Sequence, residues 1–173
     1  DKAKDTVMAI LMLAMMVPFV AVLVPLFQMF TKAKLINSWT GFILPSIATP
    51  FLIMYFRNSA RSFPRDTLEA ARIDGLNEFQ IFIRMFIPMM KPTYASAATI
   101  TFMNAWNAYL WPKVVMQTNE AITMPMLVAN TMGGYVIDYG VVMAAVTICS
   151  LPTVIIFFCL QKSFTNAVAG AVK

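Results

Sequence analysis

The fold of this chain is decided by a charged segment, residues 57–91, whose centre reads Glu69-Ala70-Ala71-Arg72-Ile73-Asp74-Gly75. The segment holds six of the 13 Lys and Arg residues and four of the 8 Asp and Glu residues, in about a fifth of the 173-residue chain. The sequence on either side of it is apolar. A compact charged segment between apolar ones is typical of a docking surface on a membrane protein, so we expect a partner to bind there.

We predict that this segment folds into a hairpin (57–91) of two capped helices. Asp66 can cap the first helix, with Glu69 three residues later as in a capping box. Gly75 suits the left-handed residue that ends a helix. Asn77 can cap the second helix, with Gln80 three residues later. The second helix carries an apolar stripe with the spacing of a helix that lies on an apolar surface, namely Phe79, Phe82, Ile83, Phe86 and Ile87.

Four stretches outside the hairpin lack charged side chains over lengths that can cross a bilayer: 6–30, 35–56, 92–112 and 139–161. A helix rises about 1.5 Å per residue, so about 20 apolar residues span the hydrocarbon core. With 60% hydrophobic and 12% charged residues, the chain is also far more apolar than a soluble domain, in which about 25% of residues are charged. We predict an all-α integral membrane protein with four transmembrane helices, in which prolines such as Pro18 kink the spans.

The distribution of basic residues predicts the orientation. Four spans place both termini and the hairpin on one side of the membrane, together with ten Lys and Arg residues, and leave three on the other side. Cytoplasmic segments of membrane proteins carry an excess of Lys and Arg. We therefore predict that the termini and the hairpin are cytoplasmic and that residues 113–138 form an external loop.

The composition argues against several other functions. Cys149 and Cys159 both lie in the last predicted span, so no structural disulfide is expected. The chain has no His and no Cys cluster with metal-ligand spacing, so we predict neither a metal site nor a catalytic site. The net charge of +5 is not arranged as a basic stripe with interleaved aromatic residues, so no nucleic acid is expected to bind. The GxxxxGK[ST] phosphate-binding pattern is absent, and no cofactor is expected on this chain. An ion-coupled carrier or channel is the alternative, although such proteins usually place ionisable residues within their spans.

The third predicted span is the polar exception among the four. Asn104 and Asn107 are three residues apart, and Trp106 lies between them. Amides within a membrane face the protein interior or a cavity, because lipid offers them no hydrogen bond. Two interpretations remain open: the residues bond neighbouring helices, or they line a path for a neutral sugar.

The hairpin resembles the cytoplasmic signature of bacterial ABC importer permease subunits. In that signature Glu-Ala-Ala is followed after three residues by Gly, and after nine more by a segment similar to Ile-x-Leu-Pro. The matching residues here are Glu69-Ala70-Ala71, Gly75 and Met85-Phe86-Ile87-Pro88. The likeness covers nearly all of the chain, including stretches 41–45 and 102–112, and looks most like sugar permeases of the maltose-transporter type.

The resemblance implies a single permease transmembrane domain over 1–173. Because such permeases usually have six spans, we expect this chain to lack the first two. The coupling helix, which such permeases seat in a cleft of a cytoplasmic ABC ATPase dimer, corresponds here to Glu69, Ala70, Ala71, Asp74 and Gly75. The resemblance further implies a bacterial inner-membrane location, a second permease subunit and a carbohydrate cargo. It also implies an extracytoplasmic solute-binding protein that faces the external loop.

Overall fold

The computed structural model describes residues 2–118, 121–134 and 136–170, and their side chains up to residue 160. Every regular element within these ranges is helical, as predicted for an all-α protein. The helices are α1 (Lys2–Met16), α2 (Phe19–Lys32), α3 (Trp39–Ile43), α4 (Pro50–Arg61), α5 (Arg65–Ile73), α6 (Glu78–Ile81), α7 (Ile87–Met89), α8 (Lys91–Trp106), α9 (Leu110–Val115), α10 (Met124–Thr131) and α11 (Tyr139–Gly170). A 3-10 turn (Leu44–Ser46) follows α3, and a π-helical turn (Phe82–Phe86) joins α6 to α7.

The chain divides into two compact units. The first combines the chain up to Phe51 with Phe102–Ile155, and the second combines Leu52–Thr101 with the chain from Ile156 onward. The second unit contains the whole hairpin, 57–91, including α5, α6 and α7. The first unit contains the segment predicted as an external loop, 113–138.

The first predicted span, 6–30, is two helices rather than one. α1 ends at Met16 and α2 begins at Phe19, and the two helices meet at an angle of 98°. The break falls at Pro18, whose backbone is extended (φ −66°, ψ 134°). Proline lacks the N–H that would continue the helix, and its ring crowds the preceding turn. Pro25 lies within α2 without ending it. The predicted kink of the first span is therefore at Pro18.

The other predicted spans also differ in their helical bounds. The 3-10 turn separates α3 from α4 within the stretch 35–56, and α8 ends at Trp106, six residues before the predicted end of the third span. α11 is continuous across Pro152. Within the described residues, Tyr139–Leu160 alone is a single helix long and apolar enough to cross a membrane, and up to three spans result if each of the bent pairs α1–α2 and α3–α4 counts as one. The count of four spans stays a prediction.

The core of the first unit forms around Trp111 in α9. Its side chain is 7% exposed, and the edges of its ring contact Phe30 at 5.1 Å and Phe19 at 6.5 Å between centroids. The indole Nε1 donates a hydrogen bond of 3.2 Å to the carbonyl oxygen of Gly41. Val115 and Met116 complete this buried cluster. The aromatic residue that the sequence places at the end of a span therefore joins α2, α3 and α9.

The turn after α2 is fastened to the end of α9. Asn37 has a positive φ of 55°, which Asn tolerates better than most residues. Its backbone N–H donates to the carbonyl oxygen of Val115 at 2.8 Å, and its side-chain Oδ1 accepts from the N–H of Gln117 at 2.5 Å. These bonds join the turn after α2 to the segment that the sequence predicts as an external loop, 113–138.

The segment predicted as an external loop, 113–138, contains regular structure. α9 extends into it to Val115, and α10 occupies Met124–Thr131 with Pro125 in its first turn. Proline is favoured at the start of a helix, where no N–H is needed. The predicted loop therefore contains the end of α9 and the helix α10.

Candidate functional site

The first helix of the hairpin begins two residues earlier than predicted and without a side-chain cap. Pro64 occupies the N-cap position in an extended conformation (φ −62°, ψ 120°), and α5 starts at Arg65. The prediction that Asp66 caps this helix is wrong, because Pro64 occupies the N-cap position and Asp66 is already a helical residue. Asp66 lies in the first turn instead, where a negative charge is favoured by the helix dipole.

The end of α5 forms as predicted. Gly75 has a φ of 82°, in the region that favours glycine. Its N–H bonds the carbonyl oxygen of Arg72 at 3.0 Å, and the N–H of Leu76 bonds that of Ala71 at 3.1 Å. These two bonds are the Schellman arrangement that satisfies the last carbonyls of a helix.

The second helix also starts as predicted, at a complete capping box. The side-chain Oδ1 of Asn77 accepts from the N–H of Gln80 at 2.9 Å, and the side chain of Gln80 accepts from the N–H of Asn77 at 3.1 Å. Together with the end of α5, these bonds define a tight corner at residues 71–80. Its shape is set by backbone and amide bonds within a ten-residue stretch.

The two alanines of the predicted docking helix face opposite ways. Ala71 is 2% exposed and belongs to the buried residues of the second unit, whereas Ala70 is exposed. Glu69, Asp74 and Gly75 are exposed as well. Ile73 is 86% exposed, and the sequence analysis did not single it out. One face of α5 and its end therefore present an acidic and apolar surface, and Ala71 anchors that surface to the hairpin.

The apolar stripe predicted for the second helix is only partly buried. Ile81, absent from the predicted stripe, is 3% exposed, whereas Phe79, Phe82 and Ile83 are exposed. Phe86 packs on Phe63 with 5.2 Å between ring centroids. The π-helical turn inserts an extra residue per turn and rotates the following side chains, which a stripe based on a regular helix does not anticipate.

One ion pair crosses the corner. Arg72 Nε lies 2.8 Å from Glu78 Oε1, between two exposed side chains. The hydrogen bond and then the charge of Glu78 raise the pKa of Arg72, and the same bond and charge lower the pKa of Glu78. Both groups are ionised at neutral pH, and the sequence analysis did not predict the pair.

The polar residues near the end of α8 have distinct surroundings. Trp106 Nε1 donates to the carbonyl oxygen of Cys149 in α11 at 2.8 Å, and its ring stacks on Phe102. Asn107 follows the last residue of α8, and its Nδ2 donates to the carbonyl oxygen of Met103 at 2.8 Å. Asn104 and Asn107 are both exposed. The helix-bonding interpretation therefore holds for the indole N–H of Trp106, while the two amides remain accessible.

A cavity of about 280 Å³ lies beside α9 and α10 in the first unit. Its polar lining comes from Tyr109, Lys113, Gln117, Thr118 and Asn130. Lys113 Nζ is 2.6 Å from the Tyr109 hydroxyl oxygen and lies over the tyrosine ring. Sequence reasoning missed this cavity because its walls are brought together by folding. Among the described residues no three His, Cys, Asp or Glu side chains are grouped to hold a metal ion.

The sequence is similar to curated sugar permeases. It is 40% identical over 173 residues to the lactose transport system permease protein LacG of Rhizobium radiobacter, covering 100% of this chain and 63% of that protein. It is 35% identical to the arabinooligosaccharides transport system permease protein AraQ of Bacillus subtilis, covering 99% of this chain and 62% of that protein. The chain thus spans about three fifths of the length of these curated relatives.

The fold is also similar to that of a solved structure. A chain in the crystal structure of a bacterial ABC transporter involved in the import of the acidic polysaccharide alginate superimposes with a TM-score of 0.79. The match covers 94% of this chain and 62% of the other at 23% identity, so it bears on the fold alone.

A protein family described as binding-protein-dependent transport system inner membrane component matches residues 1–170. That match takes in both units, the hairpin and the polar end of α8, and it agrees with the family resemblance read from the hairpin. The chain belongs to the family of binding-protein-dependent transport system inner membrane components.

Proposed function

We propose that this chain is a membrane-spanning subunit of an ATP-driven importer in a bacterial inner membrane. With a second permease subunit it forms the path of a carbohydrate that an extracytoplasmic solute-binding protein delivers. ATP is hydrolysed by a separate cytoplasmic ATPase dimer, and this chain has no catalytic role. The family match and the sugar permeases among the relatives support this function.

The observation that carries the proposal is the exposed face of α5. Glu69, Ala70 and Ile73 are exposed on it, and the tight corner at Gly75 holds it in a defined position. An exposed isoleucine flanked by a small residue and carboxylates is suited to a cleft with an apolar floor and a basic rim. Such a cleft belongs to the ATPase in our proposal, and Asp74 adds to the negative charge.

The hairpin transmits force in this mechanism. ATP-driven closure of the ATPase dimer moves the two docked hairpins of a permease pair together. Because the corner is closed by hydrogen bonds on both sides of Gly75, α5 moves as one piece with the helix that follows it. That helix continues through α7 toward α8, so the motion reaches the end of α8, where the proposed path lies.

Asn104 and Asn107 are the residues that we assign to the sugar path. Their amides are exposed at the point where α8 ends, and amides both donate to and accept from hydroxyl groups. Trp106 contributes a ring face rather than an N–H, because its indole N–H is bonded to Cys149. A broken helix at the membrane midplane is a common setting for transporter sites.

The external side faces the solute-binding protein in this proposal. Val136, beside the Gly133-Gly134 turn, is 89% exposed. It belongs to the predicted external loop, 113–138, which the binding protein contacts in this proposal. Both termini of this chain and the hairpin lie in the cytoplasm, as the basic residues indicate.

Photocrosslinking at the two neighbouring alanines tests the docking. Ala70→Cys and Ala71→Cys are made in an importer whose permease lacks Cys149 and Cys159, and each is labelled with a benzophenone maleimide. Ala70→Cys is expected to crosslink the ATPase on irradiation, whereas Ala71→Cys resists labelling because its site is 2% exposed. Failure of the Ala70→Cys crosslink while the ATPase co-purifies would contradict the docking.

The dependence of uptake on its energy source separates this function from an ion-coupled carrier. Uptake into membrane vesicles is expected to stop when ATP is depleted and to survive collapse of the proton gradient. Uptake that survives ATP depletion but stops when the proton gradient collapses would favour an ion-coupled carrier.

A further inference from the structure

Arg72 lies between two carboxylates, and the structure pairs it with only one. Glu69 is one turn earlier on α5, and Glu78 is at the first position of α6 across the corner. Arg72 Nε is 2.8 Å from Glu78 Oε1. Within the described parts of the chain, Glu69 forms no ion pair within 4 Å, although its charge acts on Arg72 from a distance. The choice of partner leaves the Glu69 carboxylate exposed and without a direct ion pair among the described residues.

This choice does not follow from helix geometry alone. Residues three apart on a helix are neighbours, and an acidic and a basic residue at that spacing attract each other. Arg72 and Glu69 have that spacing, so a guanidinium released from the corner would turn to Glu69. Glu78 prevents this because the capping box places it opposite Arg72.

We propose that Glu78 is a positioning residue that holds Arg72 away from Glu69, so that Glu69 meets a cationic group of the ATPase unneutralised. The inference rests on the proposed docking of α5. It assigns no contact with the ATPase to Glu78 itself. The Arg72–Glu78 ion pair affects docking only by keeping the carboxylate of Glu69 available to the ATPase.

A purely mechanical role for the pair has a different consequence. The corner is already closed by the bonds of Gly75 and Leu76 to α5 and by the bonds between Asn77 and Gln80. None of these uses the side chain of Arg72. If the ion pair only stiffened the corner, loss of either partner would weaken docking equally.

The test measures the affinity of the purified ATPase for the complete permease pair in nanodiscs. Glu78→Gln is expected to weaken binding about two- to fivefold, which is the effect of one exposed ion pair. Arg72→Gln is expected to leave binding within about twofold of the unmodified protein. The double variant Arg72→Gln/Glu78→Gln is expected to recover that affinity, because the guanidinium that Glu78→Gln alone would release is then absent.

Arg84 supplies the matched control for net charge. It is an exposed cation of the same hairpin. Arg84→Gln combined with Glu78→Gln restores the same net charge as the first double variant and leaves Arg72 free to turn to Glu69. This double variant is expected to stay as weak as Glu78→Gln alone. Equal recovery in both double variants would show a general charge effect and overturn the proposal.

The remaining outcomes separate this inference from the docking on which it rests. Glu69→Gln is expected to weaken binding and to remove the effect of Glu78→Gln. If Glu69→Gln leaves binding unchanged, the proposed docking face is wrong and the positioning role falls with it. If Glu69→Gln weakens binding but Glu78→Gln does not, or if Arg72→Gln weakens it as much as Glu78→Gln does, the positioning role alone is wrong.

Discussion

Two glycines in this chain are required for different physical reasons. Gly75 has a positive φ, and a Cβ at this position meets nothing within 4 Å. Gly41 has an ordinary backbone, but a Cβ there overlaps the carbonyl oxygen of Leu35. The first glycine meets a requirement of the backbone conformation, and the second meets a requirement of close packing.

Gly75→Val is expected to impair transport while membrane insertion stays intact. A β-branched residue at a φ of 82° costs about 1–2 kcal/mol and distorts the corner that positions α5. Gly75→Asn is the matched control, because Asn tolerates this conformation and there is space for its side chain. ATP-dependent uptake in vesicles, normalised to inserted protein, measures the difference. Normal uptake with Gly75→Val would remove the corner from the mechanism.

Gly41→Ala is expected to destabilise the first unit. The added methyl group meets the backbone of Leu35, which cannot rotate away as a side chain can, and overpacking of this kind costs about 1–3 kcal/mol. It also disturbs the carbonyl that accepts from Trp111. Thermal unfolding in detergent, followed by tryptophan fluorescence, measures the loss. Gly133→Ala is the control, since its new methyl group comes no closer than 3.4 Å to the carbonyl oxygen of Asn130.

At the scale of elements, prolines and breaks determine where helices end. Pro18 turns one predicted span into α1 and α2, whereas Pro25 and Pro152 lie inside continuous helices. The difference depends on whether neighbouring groups satisfy the freed carbonyls. α8 ends at Trp106 without a proline, and there the indole of Trp106 joins α8 to α11.

Trp106→Phe tests this connection between α8 and α11. Phenylalanine keeps a ring that can stack on Phe102 but loses the hydrogen bond to Cys149, which contributes about 0.5–1.5 kcal/mol. A lower midpoint of thermal unfolding is expected, with the KM for sugar uptake nearly unchanged. Trp106→Ala is expected to lose the stacking as well and to unfold at a lower temperature still. A raised KM at unchanged stability would instead place the indole N–H on the substrate.

At the scale of the whole molecule, the proposed function depends on which side of the membrane each segment occupies. The structure contains no membrane, but it joins the turn after α2 to the end of α9. We therefore expect these two segments on the same side of the membrane. The hairpin and the segment around Val136 are predicted to lie on opposite sides.

Labelling from each side of the membrane tests this arrangement. Ile73→Cys and Val136→Cys replace two highly exposed side chains, at 86% and 89% exposure, in a permease without Cys149 and Cys159. A membrane-impermeant maleimide is expected to label Val136→Cys in right-side-out vesicles and Ile73→Cys in inside-out vesicles. Labelling of Ile73→Cys from outside would overturn the importer function, because no cytoplasmic ATPase could reach the hairpin.

The sequence by itself determined the class of protein and the corner of the hairpin. The class of protein follows from hydrophobic composition, which is a sum over residues. The left-handed Gly75 and the capping box at Asn77 each depend on a few consecutive residues. Neither the class nor the corner therefore requires knowledge of distant contacts. Only the tertiary structure decided that Ala71 points inward and Ala70 outward, that Trp111 joins three helices, and that Trp106 bonds Cys149. These features depend on contacts between residues as many as 92 positions apart, as Phe19 and Trp111 are, which helical periodicity does not encode.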